Sequence, residues 1–115
     1  MTTPVGPYTP IVRAGEWLVS SGQIGLRDGA IVTGGIDGEL RQAIANLEAL
    51  LVAEGASLAD VVKTTVFLRH MSDYAPMNAT YLECFGDHRP ARSAVGVAEL
   101  PLGALVEIEA WARVS

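Results

Sequence analysis

Residues 105–114 alternate between apolar and polar side chains with the two-residue period of a β-strand. One face of this strand is apolar throughout: Val106, Ile108, Ala110, Ala112 and Val114. The other face mixes charged and large apolar residues: Leu105, Glu107, Glu109, Trp111 and Arg113. Because the side chains of a strand point alternately to its two sides, the segment predicts a sheet with one face in the core. The second face must meet either water or a partner.

Strand-forming residues also mark other regions of the chain. Residues 16–24 end in a Ser-Gly turn signal, and residues 29–35 predict either a short strand or an irregular arm. After a turn at residues 57–60, a β-branched run predicts a strand, one face of which carries Val62, Thr64, Val66 and Leu68. Residues 92–98 predict a strand joined through a turn at residues 99–103 to the last strand, 104–114.

Two segments have the helical period. From Asp37, which we expect to be an N-cap, apolar residues recur on one helical face, and Gly55 follows as a stop. These residues are Leu40, Ile44, Leu47 and Leu51. A second helix is predicted after Ser72 as cap, with Pro76 in its first turn. The order of elements predicts one α+β domain over residues 1–115, a two-layer sandwich with a mostly antiparallel sheet and both helices on one face.

Composition adds a hint about assembly and location. Half of the residues are hydrophobic and only 18% are charged, against roughly 25% charged in an average soluble domain. This surplus predicts a buried subunit interface, although a merely apolar surface is the alternative. The net charge of −5 argues against nucleic acid, apart from a local basic patch around His88, Arg89 and Arg92. A single cysteine, no apolar leader and no membrane-length apolar run lead us to expect a cytoplasmic protein.

Common catalytic constellations are missing from the sequence. His70 and His88 lack ligand-like spacing to other His, Cys or carboxylate residues, so no metal site is expected. Cys84 and His88 are four residues apart and could resemble a nucleophile and its base, but a packed structural thiol is the favoured interpretation. The glycines of "GQIGLRDG" lack the setting of a nucleotide loop, and we expect no cofactor.

A set of polar residues stands out as misplaced for a purely structural role: Tyr8, Ser21, Gln23, Asn78, Arg92 and Glu107. Taken singly, each also has a structural explanation. Arg92 and Glu107 could form a cross-strand ion pair, Asn78 could be a helix-surface amide, and Tyr8 could anchor the N-terminal arm.

The chain resembles the RidA (YjgF) family of small enamine/imine deaminases in segments that follow one another along nearly its whole length. These segments are "GPYTP" from Gly6, "SGQIG" from Ser21, "VVKTTVFLRHMSDYAPMNATY" from Val61, "PARSAVGVAELP" from Pro90 and "VEIEAWA" from Val106. The resemblance implies a chorismate-mutase-like α+β fold and a homotrimer with active sites between neighbouring subunits. The family pattern is not complete, because Gly25 replaces the usual proline, Ala94 replaces a frequent cysteine, and the connection "GDHR" is short.

The resemblance also implies roles for the polar residues. Arg92 would bind the substrate carboxylate, since a guanidinium keeps its charge and its two-pronged geometry matches a carboxylate. Glu107 would position or activate the attacking water. The pocket would be lined by Tyr8, Ser21, Gln23 and Asn78, with the backbone at Ser93 and Ala94 completing the cradle.

The expected reaction is hydrolysis of 2-aminoacrylate or 2-iminopropionate to a 2-oxo acid and ammonia. A non-catalytic protein that binds a 2-oxo acid is the alternative. An endoribonuclease is a third hypothesis, which the acidic balance and the lack of a suitable His/His or His/Lys pair make less favoured.

Overall fold

The computed structural model describes residues 4–114, and in this range the chain forms eight strands and two α-helices. The strands are β1 Ile11–Ala14, β2 Trp17–Ser20, β3 Gln23–Ile24, β4 Leu26–Arg27, β5 Ala30–Ile31, β6 Val61–Leu68, β7 Ala91–Gly96 and β8 Val106–Arg113. The helices are α1 Gly35–Ala53 and α2 Tyr74–Phe85. Short 3₁₀ turns lie at Leu58–Asp60, Met71–Asp73 and Pro101–Gly103.

The main sheet has the strand order β1-β2-β8-β6-β7, and β3 pairs with β8 beyond the end of β2. Every pairing in it is antiparallel except β6 with β7. The strands β4 and β5 form a separate small hairpin. The predicted α+β architecture with a mostly antiparallel sheet is therefore confirmed.

The turn at residues 99–103 does not join neighbouring strands, so the hairpin-like connection between the last two strands was wrong. The strand β6 lies between β7 and β8 and pairs with both. The reason is that α2 connects β6 to β7 as a crossover, which brings β7 in parallel to β6 at the edge of the sheet. The chain must then cross to the other side of β6 to begin β8.

Both helices pack on one face of the sheet, where the predicted apolar faces meet. The side chains of Val106, Ile108, Ala110 and Ala112 are buried in the same cluster as Leu40, Ile44, Leu47 and Leu51 of α1. Helix α2 contributes Met77, Tyr81 and Phe85 to this cluster. Burial of large aliphatic and aromatic side chains stabilises such a core by about 1.5–3 kcal/mol per residue relative to exposure.

The predicted helix caps differ from those observed. Helix α1 begins at Gly35, after Gly34 at φ 106°, a left-handed backbone conformation that favours glycine. Asp37 therefore lies in the first turn, where its carboxylate accepts hydrogen bonds from Arg41 and Thr80. Ser72 is not the cap of α2, because the turn Met71–Asp73 runs directly into the helix. The stop at Gly55 is confirmed by its φ of 81° just after the helix.

Two strand predictions also need correction. A β-bulge between Val61 and Lys63 buries Val61 and leaves Val62 42% exposed, so Val62 does not share the face of Thr64, Val66 and Leu68. The predicted strand at residues 16–24 is interrupted between β2 and β3, and β1 was not predicted. A short edge strand carries a weak sequence pattern, because few of its side chains are buried.

The face of the sheet opposite the helices, here called the open face, remains uncovered in the single chain. It carries Trp17 and Trp111, whose rings meet edge to face with their centroids 6.1 Å apart, and both are exposed. Val95 of β7 is exposed as well, and Lys63 donates a hydrogen bond to Ser93 on this face. Neither helix in residues 4–114 is long and apolar enough to cross a membrane.

Candidate functional site

The larger cavity has a volume of about 940 Å³ and contains four of the singled-out polar residues. These are Tyr8, Ser21, Gln23 and Glu107. Its remaining walls are mainly apolar and come from the N-terminal arm, helix α1 and the β3–β4 region. The structure thus brings together residues that lie up to 99 positions apart in the sequence.

The interruption between β2 and β3 opens the sheet at this cavity. Ser20 fills part of the gap, because its hydroxyl accepts a hydrogen bond from the backbone N–H of Ala110 at 2.9 Å. Ser21 ties the gap to the N-terminal arm, with its hydroxyl donating to the carbonyl of Thr9 at 2.7 Å. The Gln23 amide donates to the carbonyl of Ser21 at 3.2 Å. These bonds hold the broken strand in shape beside Glu107.

Gly22, which sequence reasoning missed, lies directly against the carboxylate of Glu107. A Cβ at this position would be 2.6 Å from both Cδ and Oε2 of Glu107, closer than real Cβ contacts allow. Only glycine leaves room for the carboxylate in this position. The "SGQIG" segment contained the residue, but nothing in the local sequence indicates contact with a side chain 85 positions later.

Glu107 is half-buried and has no hydrogen-bond or ion-pair partner within residues 4–114. Burial raises the pKa of its carboxyl group above the usual glutamate range, and the neighbouring charge of Glu109 raises it further. The cross-strand ion pair with Arg92 does not form. A carboxylate with a raised pKa and a free face toward a cavity is suited to accept and return a proton.

A smaller cavity of about 330 Å³ lies beside α2 and contains Arg92 and Asn78. Arg92 lies opposite Thr64 and therefore points to the helix side of the sheet. Its guanidinium donates to the Tyr74 hydroxyl at 3.2 Å and lies 4.9 Å from the centroid of the Tyr81 ring. Asn78 is not a simple surface amide, because its Oδ1 is buried without a hydrogen-bond partner among the described residues.

The remaining singled-out residues follow Arg92 along β7. Ser93 points to the open face and accepts the hydrogen bond of Lys63, whereas Ala94 packs against the core. Tyr8 belongs to the N-terminal arm, in line with the structural explanation that it anchors this arm. Its hydroxyl accepts a hydrogen bond from the backbone N–H of Val5 at 3.4 Å. It also lines the larger cavity, so Tyr8 belongs both to the arm and to the cavity wall.

The side chains of Arg92 and Glu107 lie on opposite faces of the sheet. Ala110 of β8 is in line with Arg92 across β6, and Glu107 lies three residues further along β8. With about 3.4 Å per residue and about 4.8 Å per strand, the Cα atoms of Arg92 and Glu107 are roughly 14 Å apart. Their side chains point away from each other. A single chain therefore cannot present both groups to one small molecule.

The Cys84/His88 pair has no catalytic geometry. The Nε2 atom of His88 is 2.6 Å from the carbonyl oxygen of Val61, which ties the ring to the start of β6. Burial raises the pKa of the half-buried Cys84 thiol, which favours the unreactive protonated form. No cluster of His, Cys, Asp and Glu in the described part of the chain is arranged to hold a metal ion.

Comparison with known proteins places these features in a family. Residues 1–114 match the family model described as Endoribonuclease L-PSP. A RutC family protein of Pyrococcus horikoshii is 48% identical over 111 residues, which cover 95% of this chain and 88% of that protein. A 2-iminobutanoate/2-iminopropanoate deaminase of Dermatophagoides farinae is 46% identical over 108 residues, covering 92% of this chain and 84% of the relative. The crystal structure of Escherichia coli TdcF with bound serine matches with a TM-score of 0.92 at 37% identity, over 97% of this chain and 91% of that chain.

Proposed function

The chain belongs to the Endoribonuclease L-PSP family, which includes the YjgF/RidA proteins, and we propose that it is a hydrolytic deaminase of 2-enamino and 2-imino acids. Substrates of this class include 2-aminoacrylate and its tautomer 2-iminopropionate, and the products are a 2-oxo acid and ammonia. Relatives named 2-iminobutanoate/2-iminopropanoate deaminase support the assignment. The observation that carries it in this chain is the unpartnered, half-buried carboxylate of Glu107, with its raised pKa, in the larger cavity.

The active site is completed between two subunits of a homotrimer with a chorismate-mutase-like arrangement. Two observations support this assembly. Arg92 and Glu107 lie on opposite faces of the sheet in one chain, and the open face exposes Trp17 and Trp111. A neighbouring copy whose edge strand β7 lies against the open face would cover these side chains and bring its own Arg92 toward Glu107.

The substrate carboxylate binds Arg92, whose guanidinium has no carboxylate partner within residues 4–114. Two parallel hydrogen bonds from the guanidinium fix the carboxylate and hence the imine carbon. Asn78 and the backbone at Ser93 and Ala94 complete this side of the pocket. The other wall consists of Tyr8, Ser21 and Gln23 together with the carboxylate of Glu107.

Glu107 accepts a proton from a water molecule as the water oxygen attacks the imine carbon. As the C=N double bond becomes a single bond, Glu107 returns this proton to the nitrogen, which gives a neutral carbinolamine. Glu107 then takes the proton of the new hydroxyl and passes it to the nitrogen, the C–N bond breaks with its electron pair on nitrogen, and ammonia leaves as the C=O bond forms. Positioned acid/base groups accelerate such a step by roughly a hundred- to ten-thousandfold.

The first test measures pyruvate release while a serine dehydratase generates 2-aminoacrylate in the same cuvette. Wild type should accelerate release, and both Arg92→Ala and Glu107→Gln should reduce it to the uncatalysed rate. Arg13→Ala is a matched control, since Arg13 is an exposed arginine of β1 that contacts Glu54 and lines neither cavity. Failure of wild type to accelerate release of any 2-oxo acid from short or long imino acids would contradict the deaminase function.

Subunit complementation tests where the site lies. Arg92→Ala and Glu107→Gln chains with different tags are co-expressed, and trimers that contain both tags are purified. In a cyclic trimer every mixed assembly holds one interface with both wild-type groups, so activity should return to about a third of the wild-type value. No recovery would place the site within one chain, and a monomeric mass by light scattering would contradict the trimer.

The same variants separate the alternatives. If the protein only binds 2-oxo acids, Glu107→Gln should bind them at least as tightly as wild type, because removing a second negative charge favours an anion. RNA cleavage is less favoured, since the net charge is −5 and His88 is bonded to a backbone carbonyl. Salt-dependent binding and cleavage of a short single-stranded RNA would revive that hypothesis.

A further inference from the structure

Arg92 is held almost entirely by neutral groups. Its guanidinium donates to the Tyr74 hydroxyl at 3.2 Å and to the Met77 sulfur at 3.6 Å. It also lies over two aromatic rings, 4.9 Å from the centroid of Tyr81 and 5.7 Å from that of Tyr74. Each ion pair found in residues 4–114 involves another arginine. Cation–π contacts orient a guanidinium without neutralising its charge.

The ring of Tyr81 is itself fixed. Its hydroxyl shares a hydrogen bond of 2.7 Å with the hydroxyl of Thr64, and both side chains are almost completely buried. The ring also stacks on that of Phe85, with the two centroids 4.6 Å apart. Thr64 lies directly opposite Arg92 in the pairing of β6 with β7. The hydrogen bond between Tyr81 and Thr64 therefore ties the tyrosine ring to β6, next to Arg92. Burial raises the pKa of the Tyr81 hydroxyl, which keeps it neutral.

We propose that Tyr74 and Tyr81 are positioning residues that orient the Arg92 guanidinium for the substrate carboxylate, and that Thr64 fixes Tyr81 in the orientation required. This inference rests on the proposed function, in which Arg92 binds the carboxylate. An aspartate or glutamate in place of the tyrosines would hold the guanidinium equally well but would compete with the substrate for it. Neutral aromatic partners orient the group and leave its charge available.

The expected effect is on binding rather than on the chemical step. If the tyrosines pre-orient Arg92, a variant without them must order the guanidinium when substrate binds. Immobilising one such side chain weakens binding roughly two- to tenfold. Tyr74→Phe removes the hydrogen bond but keeps the ring, and Tyr74→Leu removes both. The KM for 2-iminobutanoate should therefore rise in that order, with kcat within about twofold of wild type.

Tyr81→Phe and Thr64→Val each remove one half of the buried hydroxyl pair. Because both changes abolish the same bond, the double variant should raise KM no more than the more severe single variant. Thr80→Val is the matched control, since Thr80 is the neighbouring buried threonine of α2 and its hydroxyl bonds to Asp37 instead. It removes a buried hydroxyl from the same helix and should leave KM unchanged. A purely structural role for the hydroxyls would instead lower the active fraction, and thus kcat, in all of these variants.

A second measurement separates the failure of this inference from the failure of the proposed function. Isothermal titration with 2-oxobutanoate, a stable carboxylate of the product class, gives a Kd without turnover. Active wild type with unchanged KM and Kd in Tyr74→Leu and Tyr81→Phe would overturn the positioning role alone. If wild type is inactive but the variants bind 2-oxobutanoate with a Kd roughly two- to tenfold higher than that of wild type, the deaminase function is overturned and the positioning role is supported. Wild type that binds no 2-oxobutanoate and hydrolyses no imine would overturn both.

Discussion

Gly22→Ala should strongly reduce the imine deaminase activity while leaving the fold intact. The added Cβ would lie 2.6 Å from Cδ and Oε2 of Glu107, and ordinary contact begins at 3.4 Å, so the carboxylate must move by about 0.8 Å. The obstacle is the end of a flexible side chain, which can swing into the cavity at little energetic cost. Displacement of a catalytic group by about 1 Å can reduce the rate by roughly a hundredfold, so we expect a ten- to hundredfold lower kcat.

The stability of the same variant should be equal to that of wild type or slightly higher. Gly22 is not among the glycines with positive φ, so alanine fits its backbone conformation. Alanine also restricts the unfolded chain, which stabilises a protein by about 0.4–1 kcal/mol where no strain arises. Thermal unfolding followed by circular dichroism measures this effect beside the imine hydrolysis assay.

Gly96→Ala is a matched control for the steric change. Its Cβ would lie 2.9 Å from Cγ of Met71, again a flexible side chain, but on edge strand β7 and away from Glu107. It should retain the wild-type kcat. Wild-type kcat in Gly22→Ala, with an unchanged oligomeric state, would refute the reasoning that the position of the Glu107 carboxylate depends on this glycine.

Three other changes test the packing and the charges. Gly25→Ala should lower the free energy of unfolding, because its Cβ would lie 2.7 Å from backbone atoms of Glu39, which cannot swing aside; an unchanged unfolding midpoint would contradict this. Glu107→Gln should be more stable than wild type at pH 7, since burial raises the pKa of Glu107 and its ionised form destabilises the fold. This stability advantage should vanish as the pH falls below the pKa of a glutamate in the unfolded chain, about 4.3. Urea unfolding of both proteins at several pH values, from well below to well above that pKa, measures the difference in free energy of unfolding. Asp37→Asn should be less stable than wild type at neutral pH, because a hydrogen bond from Arg41 lowers the pKa of Asp37, and the difference should disappear as the pH falls through that lowered pKa.

The periodic segments were predictable because their pattern reports burial directly. The alternating pattern of β8 and the apolar face of α1 mark the side chains that are buried in the core. The misses depend on information that local patterns do not carry. The bulge at Val61 and Val62 shifts the register by one residue, and the pairing of β7 with β6 is decided by the crossover through α2. Gly34 begins α1 through its backbone conformation, which no side-chain pattern reveals.

In the candidate site, too, the sequence predicted local features but not those that depend on contacts between distant segments. The resemblance to the RidA family implied that Arg92 binds a carboxylate and that Glu107 activates water, but sequence spacing could not show that they face opposite sides of one sheet. Tyr74 and Tyr81 fit the helical period of α2, and that pattern does not reveal that both contact Arg92. Contacts between distant segments decide which side chains of a helix serve the core and which serve a site.

The apolar open face and the divided site are consequences of one architecture. Two helices cover only one side of the sheet, so a chain that is 50% hydrophobic leaves Trp17 and Trp111 exposed on the other. A further helix packed there would bury these rings, but it would give Glu107 no cationic partner. A second copy of the chain can bury the same rings and also bring an arginine that its own fold keeps free of carboxylates. In the proposed assembly, association would therefore cover the hydrophobic face and complete the site in one step, which would explain why a small domain retains both an uncovered sheet and an unpartnered glutamate.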